Sequence, residues 1–202
     1  MMLLVTMVYS AAAVETCPIF IPDQKQKEYG DSGWFLHKNQ MVAQSFKPTK
    51  GTLSKVDLFI SKQGDDPEYG ITVSIRDDLL NEDLTSKDIS YYWGDKNYAW
   101  ISFDFNDITV EPGNTYFIVA SSEAETNNCY GWICAEDDEA YPDGSVYLNT
   151  NDEGWEIPEP PQNDPRDCCF ITYSPFVKSY SVQNNNLILR ISKLINIFYT
   201  FF

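Results

Sequence analysis

The sequence predicts an all-β protein, a two-sheet antiparallel β-sandwich of jelly-roll type. Short runs in which apolar and polar residues alternate recur from 41 to 173, and Gly, Pro, Asn and Asp separate them. No segment carries convincing helical periodicity, and only 78–88 is expected to form as much as one helical turn. About eight or nine strands with turn signals between them are typical of two packed sheets.

The individual strands follow from the alternation, because successive side chains of a strand face opposite sides of the sheet. The clearest runs are 56–60, 71–75 and 101–105. A strong turn sequence, Glu-Pro-Gly-Asn at 111–114, leads into a nearly continuous apolar strand at 115–120. Weaker runs lie at 41–46, 130–134, 145–149 and 169–173. Residues 155–165 are rich in Pro, Glu and Asp and are expected to form a surface loop before the last strand.

Three segments are predicted along the chain: a signal peptide at 1–14, the sandwich domain at 15–176 and a tail at 177–202. Residues 1–9 are uncharged and apolar, and the small residues at 10–13 suit signal peptidase. No Lys or Arg precedes this run, so a buried N-terminal strand is the alternative. The tail is too short and too charged for a membrane span of about 20 apolar residues. An interfacial anchor, a truncated continuation and a frameshifted end remain open for it, and membrane contact is expected only with an anchor.

The charge balance excludes one class of partner. The 202 residues include 30 acidic and 14 basic ones, which gives a formal net charge of −16. A phosphate backbone would be repelled, and there is no basic stripe, so no nucleic-acid partner is expected. Neutral polar ligands such as glycans, cations, or a cell-surface protein remain as partners.

Five cysteines fit an exported protein, since disulfides persist in oxidising compartments. In a jelly roll the first and last strands are often neighbours, so Cys17 is a candidate to pair with Cys168 or Cys169. Cys129 and Cys134 are the other candidate pair. They would lie about 16 Å apart on a continuous strand, so they can pair only if the chain turns near Gly131.

Two acidic clusters suggest calcium, a hard cation that binds several oxygen ligands on a turning loop. The candidate ligands are Asp65, Asp66 and Glu68 in one cluster and Asp137 and Asp138 in the other. Neither cluster matches the EF-hand pattern. A structural calcium ion is therefore the one cofactor predicted, with solvated acidic loops as the alternative.

The aromatic residues suggest a glycan, because the apolar faces of sugars stack on flat rings. Tyr91, Tyr92 and Trp93 are expected to be exposed, since three adjacent large rings cannot all face one core. The other predicted ligand-binding residues are Tyr130 and Tyr141. Tyr98 and Trp155 are further loop-associated rings, whereas Trp100 and Trp132 lie in strand patterns and are expected in the core.

No motif for catalysis is present in the sequence. The one histidine, His37, has no nucleophile motif nearby, and there is no phosphate-binding Gly loop and no HExxH sequence. A glycosidase needs only two carboxylates across a cleft, and the 30 acidic residues make any chosen pair arbitrary. No catalytic residue is therefore assigned.

Several strand motifs resemble those of a known group of domains. The motifs are the run 41–48 (MVAQSFKP) with 53–58 (LSKVDL), the run 71–77 (ITVSIRD) and the run 110–119 (VEPGNTYFIV). These motifs are similar to strands of jelly-roll, carbohydrate-binding-module-like domains of secreted archaeal and bacterial surface proteins. The closing strands, 144–155 and 167–173, are similar too, so the resemblance covers residues 17–173.

The resemblance implies a non-catalytic binding module that is secreted or displayed at the cell surface, with carbohydrate as its expected ligand. The first alternative is a structural adhesion or assembly domain without a small ligand. An enzyme that acts on glycosides is the third hypothesis.

Overall fold

The computed structural model describes residues 19–65, 67–90, 93, 96–136, 140–158 and 166–176. In this part of the chain the protein forms twelve strands and no helix. No helix suited to crossing a membrane is therefore found among the described residues. The predicted signal peptide and tail lie outside them.

The strands in chain order are β1 (Ile19–Gln26), β2 (Gly33–Leu36), β3 (Gln40–Phe46), β4 (Thr52–Gln63), β5 (Ile71–Arg76), β6 (Thr85–Ile89), β7 (Tyr98–Thr109), β8 (Tyr116–Ser121), β9 (Cys129–Ile133), β10 (Val146–Thr150), β11 (Trp155–Glu156) and β12 (Phe170–Phe176).

These strands form two antiparallel sheets. The front sheet has the order β1-β12-β4-β9-β2, and β7 also pairs with β4. The long strand β4 is its centre, because β7 runs along one side while β12 and β9 share the other side. The back sheet has the order β11-β10-β3-β8-β5-β6. The chain passes repeatedly from one sheet to the other, an arrangement compatible with a jelly roll.

The core between the sheets is formed by the inward positions of the alternating runs. Val56 and Leu58 of β4 and Phe103 of β7 face inward from the front sheet, and all three are fully buried. Val73 of β5 and Ile118 of β8 are buried on the back sheet and belong to the same apolar cluster. The predicted all-β sandwich is thus confirmed, and the first and last described strands, β1 and β12, are neighbours as expected.

Eight of the twelve strands coincide with predicted runs, and the other four correct the prediction. Strands β1, β2, β6 and β11 were not expected. The helical turn expected within 78–88 is replaced by a non-helical turn, in which Asn81 N donates to the Asp78 carbonyl oxygen at 3.1 Å. Strand β6 follows this turn. Trp155 and Glu156 pair with β10 rather than lying in a loop.

The turn predicted at 111–114 is confirmed. Asn114 N donates to the Glu111 carbonyl oxygen at 3.2 Å. Gly113 has a φ of 86°, a left-handed conformation that glycine adopts without strain. The turn delivers the chain from the front sheet into β8 of the back sheet.

Candidate functional site

The outer face of the front sheet carries the candidate site, and the strand alternation explains why. Since Val56, Leu58 and Ile60 face the core, Phe59 and Ser61 of β4 must face outward. The register of β4 with β7 places Trp100 opposite Phe59 and Tyr98 opposite Ser61. Aromatic side chains of two adjacent strands therefore share the outer face.

Four rings form a compact group, which we call the front aromatic cluster: Tyr29, Phe59, Tyr98 and Trp100. Phe59 is its centre, stacked on Trp100 with ring centroids 5.1 Å apart and 23° between planes. Tyr98 and Tyr29 meet Phe59 edge-on at 5.6 and 5.1 Å. Phe59 is only 6% exposed, whereas Tyr29 is 64%, Tyr98 61% and Trp100 36% exposed. A buried ring thus supports three rings that face solvent.

A groove of about 470 Å³ lies beside this cluster. One row of paired residues on four adjacent strands crosses the groove. Phe35 of β2 pairs with Gly131 of β9. Gly131 also pairs with Ser61 of β4, and Ser61 pairs in turn with Tyr98 of β7. Adjacent strands lie about 4.8 Å apart, so the two rings stand about 14 Å apart at the backbone. The groove is lined by Tyr29, Gly30, Asp31, Ser32, Gly33, Phe35, Phe59, Ser61, Tyr98, Gly131 and Ile133.

Small residues keep the floor of the groove open. A Cβ atom on Gly131 would lie 2.7 Å from Ser61 Oγ, and one on Gly33 would lie 2.5 Å from the Trp132 carbonyl oxygen. A glycine inside a strand often marks a place where another group approaches closely. Gly131 and Ser61 therefore form a low floor between the walls made by Phe35 and Tyr98.

Polar groups lie at one end of the groove, on the segment 30–32. Cys134 holds this segment through two backbone bonds of 3.0 Å, accepting from Gly30 N and donating to the Ser32 carbonyl oxygen. Arg166 donates to Ser32 Oγ at 2.8 Å. Asp31 is the one carboxylate among the described residues that line the groove. The groove thus combines aromatic walls with a few fixed polar groups.

His37 lies on the turn that follows β2 and does not line the groove. Its Nδ1 accepts a bond of 3.2 Å from Asn39 N, and burial lowers the pKa of its imidazole. The facing carboxylates that a glycosidase requires are not formed by the described lining residues, of which Asp31 alone is acidic.

Of the five rings predicted to bind a ligand, the three that the structure describes are buried. Tyr91 and Tyr92 lie outside the described residues. The expected exposure of Trp93 is wrong, because its ring is buried against that of Tyr130, with centroids 6.2 Å apart. Tyr130 is buried as well, and its hydroxyl donates to the Tyr69 carbonyl oxygen at 2.5 Å. Both rings therefore contribute to packing.

Tyr141 is also a packing residue in the structure. Its ring meets Phe170 edge-on at 5.1 Å, and its hydroxyl donates to Gln24 Oε1 at 3.0 Å. Burial is the main cause that raises the pKa of this phenol. The assignment of Trp132 to the core is confirmed, whereas that of Trp100 is wrong, because Trp100 lies on the outer face of β7.

The predicted calcium ligands are only partly described. Asp65 and Glu68 are exposed, and Asp66, Asp137 and Asp138 lie outside the described residues. Within the described ranges no group of three or more His, Cys, Asp or Glu side chains is close enough to hold a metal ion. The calcium site therefore stays a prediction.

Of the two predicted cysteine pairs, the structure contradicts one, and the other involves a residue outside the described ranges. Cys129 begins β9 and Cys134 directly follows its end, so the strand is continuous and this pair is wrong. Cys17 lies outside the described residues, so its pairing with Cys168 or Cys169 stays a prediction. All four described cysteines are free thiols.

No protein-family model matches the chain, and no curated protein sequence matches it. The resemblance to carbohydrate-binding-module-like domains therefore rests on the strand motifs, and what the structure establishes is the antiparallel two-sheet sandwich.

Proposed function

We propose that the protein is a non-catalytic, extracellular carbohydrate-binding module whose glycan lies in the groove of the front sheet. The observation that carries this proposal is the row from Phe35 across Gly131 and Ser61 to Tyr98, which sets two aromatic walls around a low floor. The strand motifs shared with carbohydrate-binding-module-like domains and the predicted signal peptide support the same function.

The chemistry of the groove suits a sugar. The apolar C–H faces of a sugar ring can stack on Tyr98 or Tyr29, both of which are exposed. Asp31, Ser32 and Ser61 can bind its hydroxyl groups. The volume of about 470 Å³ falls within the range of about 300–1,000 Å³ that is typical of small-ligand sites.

The negative charge of the protein favours a neutral glycan over an anionic one. The chain carries a formal net charge of −16, and the groove contains the carboxylate of Asp31. Anionic sugars would therefore be repelled both at long range and within the site. We propose a neutral glycan as the ligand.

The alternative of an assembly domain has less support from the strand edges. Strand β1 contains Pro22 and a register shift between Pro22 and Lys25, and β6 carries Lys87 and Asp88. Proline, bulges and charges at a sheet edge hinder the addition of another strand. These features favour a module that does not assemble through those edges.

A glycan-array screen of the full chain, with Tyr98→Ala beside wild type, tests the proposal. Tyr69→Ala is the matched control, because Tyr69 is 48% exposed and does not line the groove. Loss of one stacking ring, worth about 0.5–1.5 kcal/mol, should raise the Kd of a neutral glycan about 2–12-fold. The control should bind as wild type does. Absence of binding to every glycan, or equal affinity of Tyr98→Ala and wild type, would refute the proposal.

A further inference from the structure

Two buried cysteines face each other where β9 and β12 meet. The Sγ atoms of Cys134 and Cys168 lie 3.1 Å apart, and both residues are buried. Their backbones form an isolated antiparallel bridge, so the two residues stand directly opposite each other.

The backbone bonds on either side define the geometry of this pair. Ala135 N donates to the Asp167 carbonyl oxygen and Cys169 N donates to the Ile133 carbonyl oxygen, each at 2.9 Å. These bonds flank the two cysteines, which makes them a non-hydrogen-bonded antiparallel pair with Cα atoms about 4.5 Å apart. That separation is within the range of about 4.4–6.8 Å that disulfides span. Only side-chain rotation, closing the sulfur gap by about 1 Å, is needed.

The other described cysteines make different contacts. Cys169 Sγ lies 3.1 Å from the Glu28 carbonyl oxygen, next to β1. Cys129 Sγ lies 3.6 Å from the Thr126 carbonyl oxygen. Among the described residues, Cys134 and Cys168 therefore form the one sulfur pair that is in place for a bond.

We propose that Cys134 and Cys168 form a disulfide when the protein folds in an oxidising compartment. The oxidant is a small-molecule or protein disulfide. One cysteine thiolate attacks it and releases one thiol, and the second cysteine attacks the mixed disulfide and releases the other. The pair thus loses two electrons and two protons, and the oxidant becomes two thiols.

The timing follows from burial. Burial raises the pKa of the Cys168 thiol, so little thiolate exists in the folded protein at neutral pH. Oxidation therefore accompanies folding, before the sheets close over the pair. Once formed, the bond ties β9 to β12 along one side of β4, and it fixes the backbone of Cys134 that holds the segment 30–32.

Oxidative refolding tests the proposal. The full chain is refolded with a mixture of oxidised and reduced glutathione, alkylated, and then mapped as peptides without reduction. Wild type and the Cys129→Ser and Cys169→Ser variants should each give a linked pair of peptides, two hydrogen masses lighter than the free peptides. Cys134→Ser and Cys168→Ser should each lose this species. Cys168 and Cys169 are adjacent and lie in the same peptide, so the Cys169→Ser variant shows which of the two is linked.

Thermal unfolding gives a second measurement. Closing a loop between residues 34 apart should raise the Tm of the oxidised protein by about 10 °C over the reduced one. Cys169→Ser should keep this difference and Cys134→Ser should abolish it. Free thiols at both positions after oxidative refolding, or a bond from either cysteine to a different one, would overturn the proposal.

Discussion

The amide of Gln44 links the two sheets through the core, and its removal gives a sharp test of the described packing. Gln44 lies on β3 of the back sheet and is fully buried. Its Nε2 donates to Asp167 Oδ1 at 2.9 Å, and its Oε1 accepts from Cys168 N at 2.8 Å. Asp167 is buried and also accepts from Tyr141 N at 2.8 Å. One side chain thus satisfies two buried groups at the start of the last strand.

The perturbation is Gln44→Leu, which keeps the approximate volume but removes both bonds. A hydrogen bond from a side-chain amide to a carboxylate contributes about 1.5–3 kcal/mol to stability, and a buried backbone N–H left without a partner costs about 1–3 kcal/mol. Burial of the apolar leucine offsets about 1–2 kcal/mol of this loss. The free energy of unfolding should therefore fall by about 2–4 kcal/mol, and the Tm by about 5–15 °C for a domain of this size.

Urea unfolding followed by tryptophan fluorescence measures this loss. Gln63→Leu is the matched control, because Gln63 ends β4 with an exposed side chain. The control should change the free energy of unfolding by less than about 0.5 kcal/mol. Equal stability of Gln44→Leu and wild type would mean that the network of Gln44 and Asp167 does not hold the sheets together.

Three further predictions follow from the site and its surroundings. Gly131→Ala should leave the Tm nearly unchanged, because Ser61 Oγ can rotate away from the added methyl group. The methyl group should raise the floor of the groove and so weaken glycan binding. An unchanged affinity would contradict glycan binding in the groove. Burial raises the pKa of Cys169 to about 12 from its ordinary 9.0. The folded state therefore keeps the Cys169 proton to higher pH than the unfolded state, so the contribution of Cys169 to stability should be constant below about pH 9 and fall as the pH rises above it. Urea midpoints from pH 8 to 11 measure this, and Cys169→Ser should reduce the fall; a midpoint that rises would contradict it. Calcium added in excess over EDTA should raise the Tm of the protein, and it should raise the Tm of Asp65→Asn less. An unchanged Tm would contradict the calcium site.

The strand alternation alone indicates that two rings of the front aromatic cluster face outward. The run 101–105 places Ile101 and Phe103 inward, so Trp100 one position earlier belongs to the outward set, like Phe59 in the run 56–60. Trp100 is nevertheless predicted in the core because it lies in a strand pattern. The period of the strand was the better guide, because a shift of one residue exchanges the two faces.

Long-range pairing decided the features that the sequence did not reveal. Phe35 reaches the groove because β2 pairs with β9, and Tyr29 precedes a backbone bond from Gly30 N to the Cys134 carbonyl oxygen. No local pattern encodes either pairing. Tyr130 faces the core from β9, and its hydroxyl finds a partner in the distant Tyr69 carbonyl oxygen. The pairing of Cys134 with Cys168 likewise depends on β9 and β12 meeting beside β4.

Amide chemical shifts show whether a glycan binds in the front-sheet groove. The full chain, labelled with ¹⁵N, is titrated with the neutral glycan that binds best on the array. We expect the largest shift changes at Gly33, Gly131 and Ile133, together with a change at the Trp100 indole N–H. Changes confined to the outer face of the back sheet, around Phe117 and Tyr147, would contradict it.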